Sequence, residues 1–161
     1  DIANWYLGLE RPATVASIGD QFTSEGAWQT PDTVQTLMRY PDKDVQVYFE
    51  GTFCNTRNRE MVEIMGTAGT LYLDRGRYEV HPEPGSKTKP SELIIGKGER
   101  GADFYEEPDG ELLHVTNWLE CVRSRQQPHC PAEAGVTAAL AAHIANRSLR
   151  SGQIEHAQAS G

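Results

Sequence analysis

His114 and Asn117 lie three residues apart in a run of helical character, which places an imidazole and a carboxamide on one face. Such a pair can hydrogen-bond a ligand hydroxyl, or it can tie the start of its own helix to the preceding loop. Asn55, Arg57, Asn58 and Arg59 form a polar cluster just after a strand-like run. Amides and guanidinium forks suit hydroxyls or carboxylates, and the same residues also suit a solvated turn. His129 and Cys130 are adjacent, which is poor geometry for holding one metal jointly, and no metal site is assigned. Gly66-Thr67-Ala68-Gly69 has the glycine content of a phosphate cradle. A cradle needs a helix N-terminus beside it, whereas a strand-like run follows, so a structural hairpin is the better reading. Gly66 and Gly69 are read as supplying the backbone freedom of the reversal. No P-loop, Gly-x-Ser-x-Gly elbow, zinc helix or Cys-x-x-Cys pair occurs, and no Gly-x-Gly-x-x-Gly stands between a strand and a helix.

These residues must be positioned by a chain of 161 residues with 38% apolar and 24% charged content, the profile of one ordinary globular domain. The net charge of −8 argues against nucleic-acid or anionic-membrane partners, because phosphate and lipid headgroups would repel it. No apolar run approaches the ~20 residues of a membrane span. Three cysteines without a framework pattern point to reduced thiols and a cytoplasmic setting. The chain opens Asp1-Ile2-Ala3-Asn4-Trp5-Tyr6-Leu7-Gly8 without an initiator Met. That opening inside a helix-like segment predicts a piece of a longer protein.

Strands are expected at Ala13 to Ile18, Thr33 to Tyr40 and Val45 to Phe53, the last alternating Val45, Val47, Phe49 and Gly51 with Gln46, Tyr48 and Glu50. Gly19 to Pro31 reads as an excursion between the first two. The hairpin takes Arg59 to Met65 and Thr70 to Asp74, and a short strand follows at Arg77 to His81. Pro82 to Gly110 is a long Pro- and Gly-rich excursion with one possible edge strand at Leu93 to Ile95. Two helices close the chain. Glu111 to Arg125 carries Leu112, Val115, Leu119 and Val122 on one stripe, and Ala132 to Ser151 carries Val136, Leu140 and Ile144. The small residues of the last helix would let it lie close against a sheet. A helix, then strands, then helices means α+β: a mostly antiparallel open sheet of five or more strands with helices packed on one face. Tyr48 and Tyr72 are placed opposite their strands' aliphatic residues, either as a partner-binding face or as a solvated one.

These pieces together resemble the C-terminal domain of the Gfo/Idh/MocA family of nicotinamide-dependent oxidoreductases. The similarity is carried by Asp1 to Gly8 followed by Pro12 and Val15, by Ile64-Met65-Gly66-Thr67-Ala68-Gly69-Thr70-Leu71, by His114 to Arg125 and Pro128, and by His143-Ile144-Ala145-Asn146 before Arg150-Ser151-Gly152. The resemblance implies one domain over residues 1–161 that shapes a substrate pocket and mediates oligomer formation through its sheet face. It also implies an N-terminal Rossmann domain, outside this chain, that binds NAD or NADP and supplies a catalytic lysine from a Glu-Lys-Pro motif. The family's catalytic histidine would fall just upstream of Asp1. No catalytic, cofactor-binding or metal residue is therefore carried over, and the pocket-margin candidates are Asp1, Trp5, Asn55, Arg57 and His114. The expected function is a substrate-binding and oligomerisation domain of an NAD(P)-dependent oxidoreductase acting on a sugar, polyol or related hydroxyl compound. Alone it is expected to be inactive. The alternatives are a free-standing ligand- or protein-binding module without catalysis, and a domain of an NAD-dependent glycosidase.

Overall fold

A computed structural model of the chain describes residues 1–56, 59–94 and 110–156. The order is α1 (Ile2–Leu7), β1 (Thr14–Asp20), β2 (Thr33–Tyr40), β3 (Val45–Thr52), β4 (Val62–Gly66), β5 (Gly69–Leu73), β6 (Arg77–Pro82), β7 (Ser91–Ile94), α2 (Gly110–Ser124), α3 (Ala132–Ser151) and β8 (Glu155–His156). The class is α+β and every strand pairing is antiparallel. The strands divide into two sheets of four, β3-β2-β1-β8 and β4-β5-β6-β7, where the sequence suggested a single sheet of five or more. Periodicity identifies a strand but not its neighbour. Seven of these strands were legible and β8 (Glu155–His156) was not, while the break after Thr52 is a matter of which ladder each strand joins. The chain accordingly forms two compact units, residues 1–54 with 120–161, and residues 55–119.

In the first unit, β1 and β2 pair from Thr14↔Arg39 to Asp20↔Thr33, and β3 continues the register through Ala16↔Leu37↔Tyr48. Gly19 is required in β1 by clearance, because a Cβ there would come 2.6 Å from the carbonyl oxygen of Thr33. One face carries Val15, Ser17 and Thr36, all buried, and α3 packs on β1. The side of α3 that is buried is Ala141, Ile144 and Ser148. Val136, expected on the buried stripe, is 67% exposed. The small residues decide the rotation of this helix, since Ala and Ser permit the close approach that a larger side chain would prevent.

Ser148 also completes the sheet. β8 pairs with β1 only at Thr14 and Val15, so the ladder stops before Ser17. The Ser17 amide instead donates to Ser148 Oγ (3.0 Å), which donates to the carbonyl of Gln153 (2.7 Å). A helix side chain thus stands in for the next strand residue. Gly152 ends α3 in the left-handed conformation (φ 64°), its amide bonding Ser148 O.

The second unit is built on the hairpin. β4 and β5 pair from Val62↔Leu73 to Gly66↔Gly69, leaving Thr67-Ala68 as the two-residue turn. Gly69, just after the turn, has a φ of 159° that side chains rarely adopt, and its missing Cβ makes room for β6, where a Cβ would lie 2.6 Å from the carbonyl oxygen of His81, whereas Gly66 has no positive φ. β7 spans Ser91–Ile94 as an edge strand, as expected for Leu93 and Ile94; Ile95 lies outside the described residues. Tyr72 departs from expectation. It is 4% exposed, with its hydroxyl donating to Asp74 Oδ2 (3.0 Å), so it is no open-face residue. Its cross-strand neighbour Glu79 is also buried and bridges Arg77 (3.2 Å) and His81 (2.9 Å). Strand alternation assigned the face correctly but not which face is covered.

α2 begins at Gly110, one residue before the expected start, and none of its residues is buried. Leu112, Val115, Leu119 and Val122 share a side, as their spacing requires, and are 41–63% exposed. An amphipathic pattern records that a face can be buried, not what buries it.

Candidate functional site

Asp1 and Trp5 sit one helical turn apart on α1, with the Trp5 amide bonded to Asp1 O (2.9 Å). Trp5 is 78% exposed and its ring lies 5.2 Å from that of Tyr6. Gly8 closes this helix in the left-handed conformation (φ 58°). α1 rests against α3, so these exposed rings stand on a fixed base. Asn55 and His114 belong to the second unit and both are exposed, His114 in the second turn of α2. Asn117 follows His114 on the same side of that helix. Arg57, and Asn58 of the same cluster, lie outside the described residues. The structure therefore groups Asp1 with Trp5 in one unit and puts Asn55 and His114 in the other.

Sequence reasoning passed over the most ordered polar centre of the first unit. Asp32 is 2% exposed. Its carboxylate accepts the amides of Phe22 (3.0 Å), Thr23 (2.8 Å) and Ser24 (3.0 Å), the Ser24 hydroxyl (2.9 Å), the Thr33 hydroxyl (3.2 Å) and the Cys54 thiol (3.3 Å). These donors, the Thr23 amide foremost, hold the carboxyl well below the usual carboxylate range, although burial alone would raise it. A buried carboxylate ringed by donors fixes the whole loop between β1 and β2. Gln21 secures the far side by donating from Nε2 to Trp28 O (2.7 Å) and Thr30 O (2.9 Å). The signal that could have found this centre is Thr23-Ser24 followed by an Asp at the next strand's entry, a pattern of local donors around one acceptor.

Above this knot, Trp28 and Phe53 meet edge to face, with centroids 5.3 Å apart and planes at 83°. Their exposures are 45% and 79%. On the opposite side of the α3-covered face, Ile18 (71%), Leu37 (46%) and Tyr48 (57%) form an open patch of adjacent strands. The Tyr48 hydroxyl donates to Glu50 Oε2 (2.7 Å), and that bond with the nearby charge raises its pKa. Among the described residues no three His, Cys, Asp or Glu side chains come together as a metal site would need. No helix among them is long and apolar enough to cross a membrane.

Antiparallel strands and helices in this order define the α+β class of the chain. The model of the oxidoreductase family C-terminal alpha/beta domain, GFO_IDH_MocA_C, matches residues 1–156, and the chain belongs to this family. No curated protein sequence matches it. Solved structures share the fold at low identity. An oxidoreductase from Agrobacterium radiobacter, in complex with NAD+, L-tartaric acid and magnesium, is 20% identical with a TM-score of 0.67 over 97% of this chain and 46% of that one. Aldose-aldose oxidoreductase from Caulobacter crescentus, complexed with glycerol, is 14% identical with a TM-score of 0.66 over 96% and 44%. The WlbA dehydrogenase from Bordetella pertussis, in complex with NADH and UDP-GlcNAcA, is 17% identical with a TM-score of 0.65 over 99% and 43%. The chain spans less than half the length of each of these proteins.

The Gly-x-x-Gly of the chain is a hairpin between β4 and β5, with no helix N-terminus to direct amides at a pyrophosphate.

Proposed function

We propose that this domain holds and orients a small hydroxylated substrate, a sugar, polyol or related compound, for an NAD(P)-dependent oxidoreductase, and that by itself it is catalytically inactive. The observation that carries the reading is the family match over residues 1–156. The substrate class is supported by the glycerol and UDP-GlcNAcA of the two similar structures. The chain's own share of the task is recognition: Asp1, Trp5, Asn55, Arg57 and His114 offer carboxylate, indole, amide, guanidinium and imidazole groups to hydroxyls and C–H faces. Nucleotide binding falls to another part of the parent protein, in a cytoplasmic setting.

The test is a ligand-observed magnetic resonance screen of the chain against aldoses and polyols, alongside an activity assay with NAD+ and NADP+. Binding of at least one hydroxylated ligand without turnover is expected. Turnover by this chain, or no binding across the panel, would refute the reading.

We infer also that Ile18, Leu37 and Tyr48 form a self-association face. A patch of adjacent exposed apolar residues on an ordered sheet favours a partner of the same flat shape. Light scattering coupled to size-exclusion chromatography should show an oligomer that Leu37→Glu shifts to monomer. A species monomeric at every concentration would count against this.

A further inference from the structure

The aromatic pair at the end of β3 is unexplained by the core. Phe53 is 79% exposed and Trp28 45%, and neither closes the sheet on which they stand. Both are nevertheless anchored through their backbones. The Phe53 amide donates to Asp32 O (2.8 Å), the Trp28 amide to Ser24 O (3.2 Å), and Trp28 O accepts from Gln21 Nε2 (2.7 Å). Beneath them Asp32, ringed by donors, locks the loop that carries Trp28. The outcome is a rigid right-angled corner of two rings held in water, which is a preorganised stacking surface.

Area and charge together select its occupant. The exposed parts of the two rings amount to roughly 250 Å², well short of the ~800 Å² per partner of a stable protein interface but close to one face of a monosaccharide. The loop that follows β1 exposes Glu25 and has no Lys or Arg between Gln21 and Asp32, and the exposed Asp20 precedes it. Carboxylates accept hydroxyl hydrogen bonds and repel phosphate or carboxylate ligands.

We propose that Trp28 and Phe53 form a stacking subsite for the C–H face of an uncharged sugar or cyclic polyol. This deepens, and rests on, the reading of the domain as a holder of hydroxylated substrates. It adds a preference against anionic ligands, set by the acidic loop around the rings.

The experiment follows the indole N–H resonances of the three tryptophans in the isotope-labelled chain. The probes are glucose, myo-inositol and a glucose phosphate ester. The Trp28 resonance should move saturably with a neutral probe, and much less with the phosphate ester. Phe53→Leu and Trp28→Leu should each weaken the neutral probe about five- to tenfold, while Phe53→Tyr retains it. The melting temperatures of the variants establish that they remain folded. A phosphate ester bound as well as glucose, or affinity unchanged in both leucine variants, overturns the subsite. Sugar-dependent shifts at Trp5 or on α2 with Trp28 unmoved also overturn it and leave the substrate-holding reading standing. If no probe moves any resonance, both fail.

Discussion

Replacement of Ser148 by alanine tests the structure at the seam between helix and sheet. Ser148 is 1% exposed, and its hydroxyl is both acceptor for Ser17 N and donor to Gln153 O. Alanine leaves the buried Ser17 amide without its partner, while the carbonyl of the exposed Gln153 can turn to water. One unsatisfied buried group costs about 1–3 kcal/mol, a sizeable part of the ~5–15 kcal/mol that stabilises a typical domain. For a chain of this size that corresponds to a fall in melting temperature of roughly 3–10 °C. Urea unfolding followed by far-UV circular dichroism measures the loss directly, provided the slope of the transition is unchanged. Ser151→Ala is the control. Its hydroxyl donates to Ser148 O at 3.3 Å from an exposed position, and its removal should stay within about 0.5 kcal/mol. If the Ser148 variant unfolds within about 0.5 kcal/mol of the parent, the hydroxyl does not substitute for a strand neighbour and the account of this edge is wrong.

Ile144→Ala removes a side chain 1% exposed from the α3 surface that packs on β1, and should cost about 2–4 kcal/mol by the same denaturation assay. Gly69→Ala places a Cβ 2.6 Å from a backbone oxygen of β6, and an equally stable hairpin in that variant would contradict the described register. Asp32 should make stability depend on acid. Its folded pKa is depressed, so its contribution is complete above the ordinary value of 3.8 and is lost as pH falls below it. Asp32→Asn should be less stable than the parent at neutral pH, with the difference narrowing as the pH drops below that value. Parallel acid titrations of the two proteins would expose a constant difference if the carboxylate plays no such part.

Much of the fold was legible because the relevant signals are local. Thr33–Tyr40 and Ala132–Ser151 coincide with the runs read from pattern, since strand alternation and the Pro131 start and Gly152 stop of a helix act within a few residues. The hairpin centred on Thr67-Ala68 was legible for the same reason. The candidate site was less so. Trp5 on α1 and His114 on α2 stand on the elements expected of them, but the Asp32 centre draws its donors from residues up to 22 positions apart in sequence, the farthest being Cys54. Nothing in that spacing announces convergence on one carboxylate.

Residue order by itself determined most of the helices and strands, that they follow one another in the segregated order of an α+β fold, and which family they resemble. It did so because backbone conformational preference and side-chain periodicity are properties of neighbours along the chain. Only the tertiary structure decided that the strands join two ladders, that α3 turns its small residues rather than Val136 to the sheet, that Tyr72 is covered, and that Trp28 meets Phe53 over a buried Asp32. Those outcomes depend on contacts between distant segments, where shape, donor count and the space left by a missing Cβ choose among arrangements that local preference leaves equal.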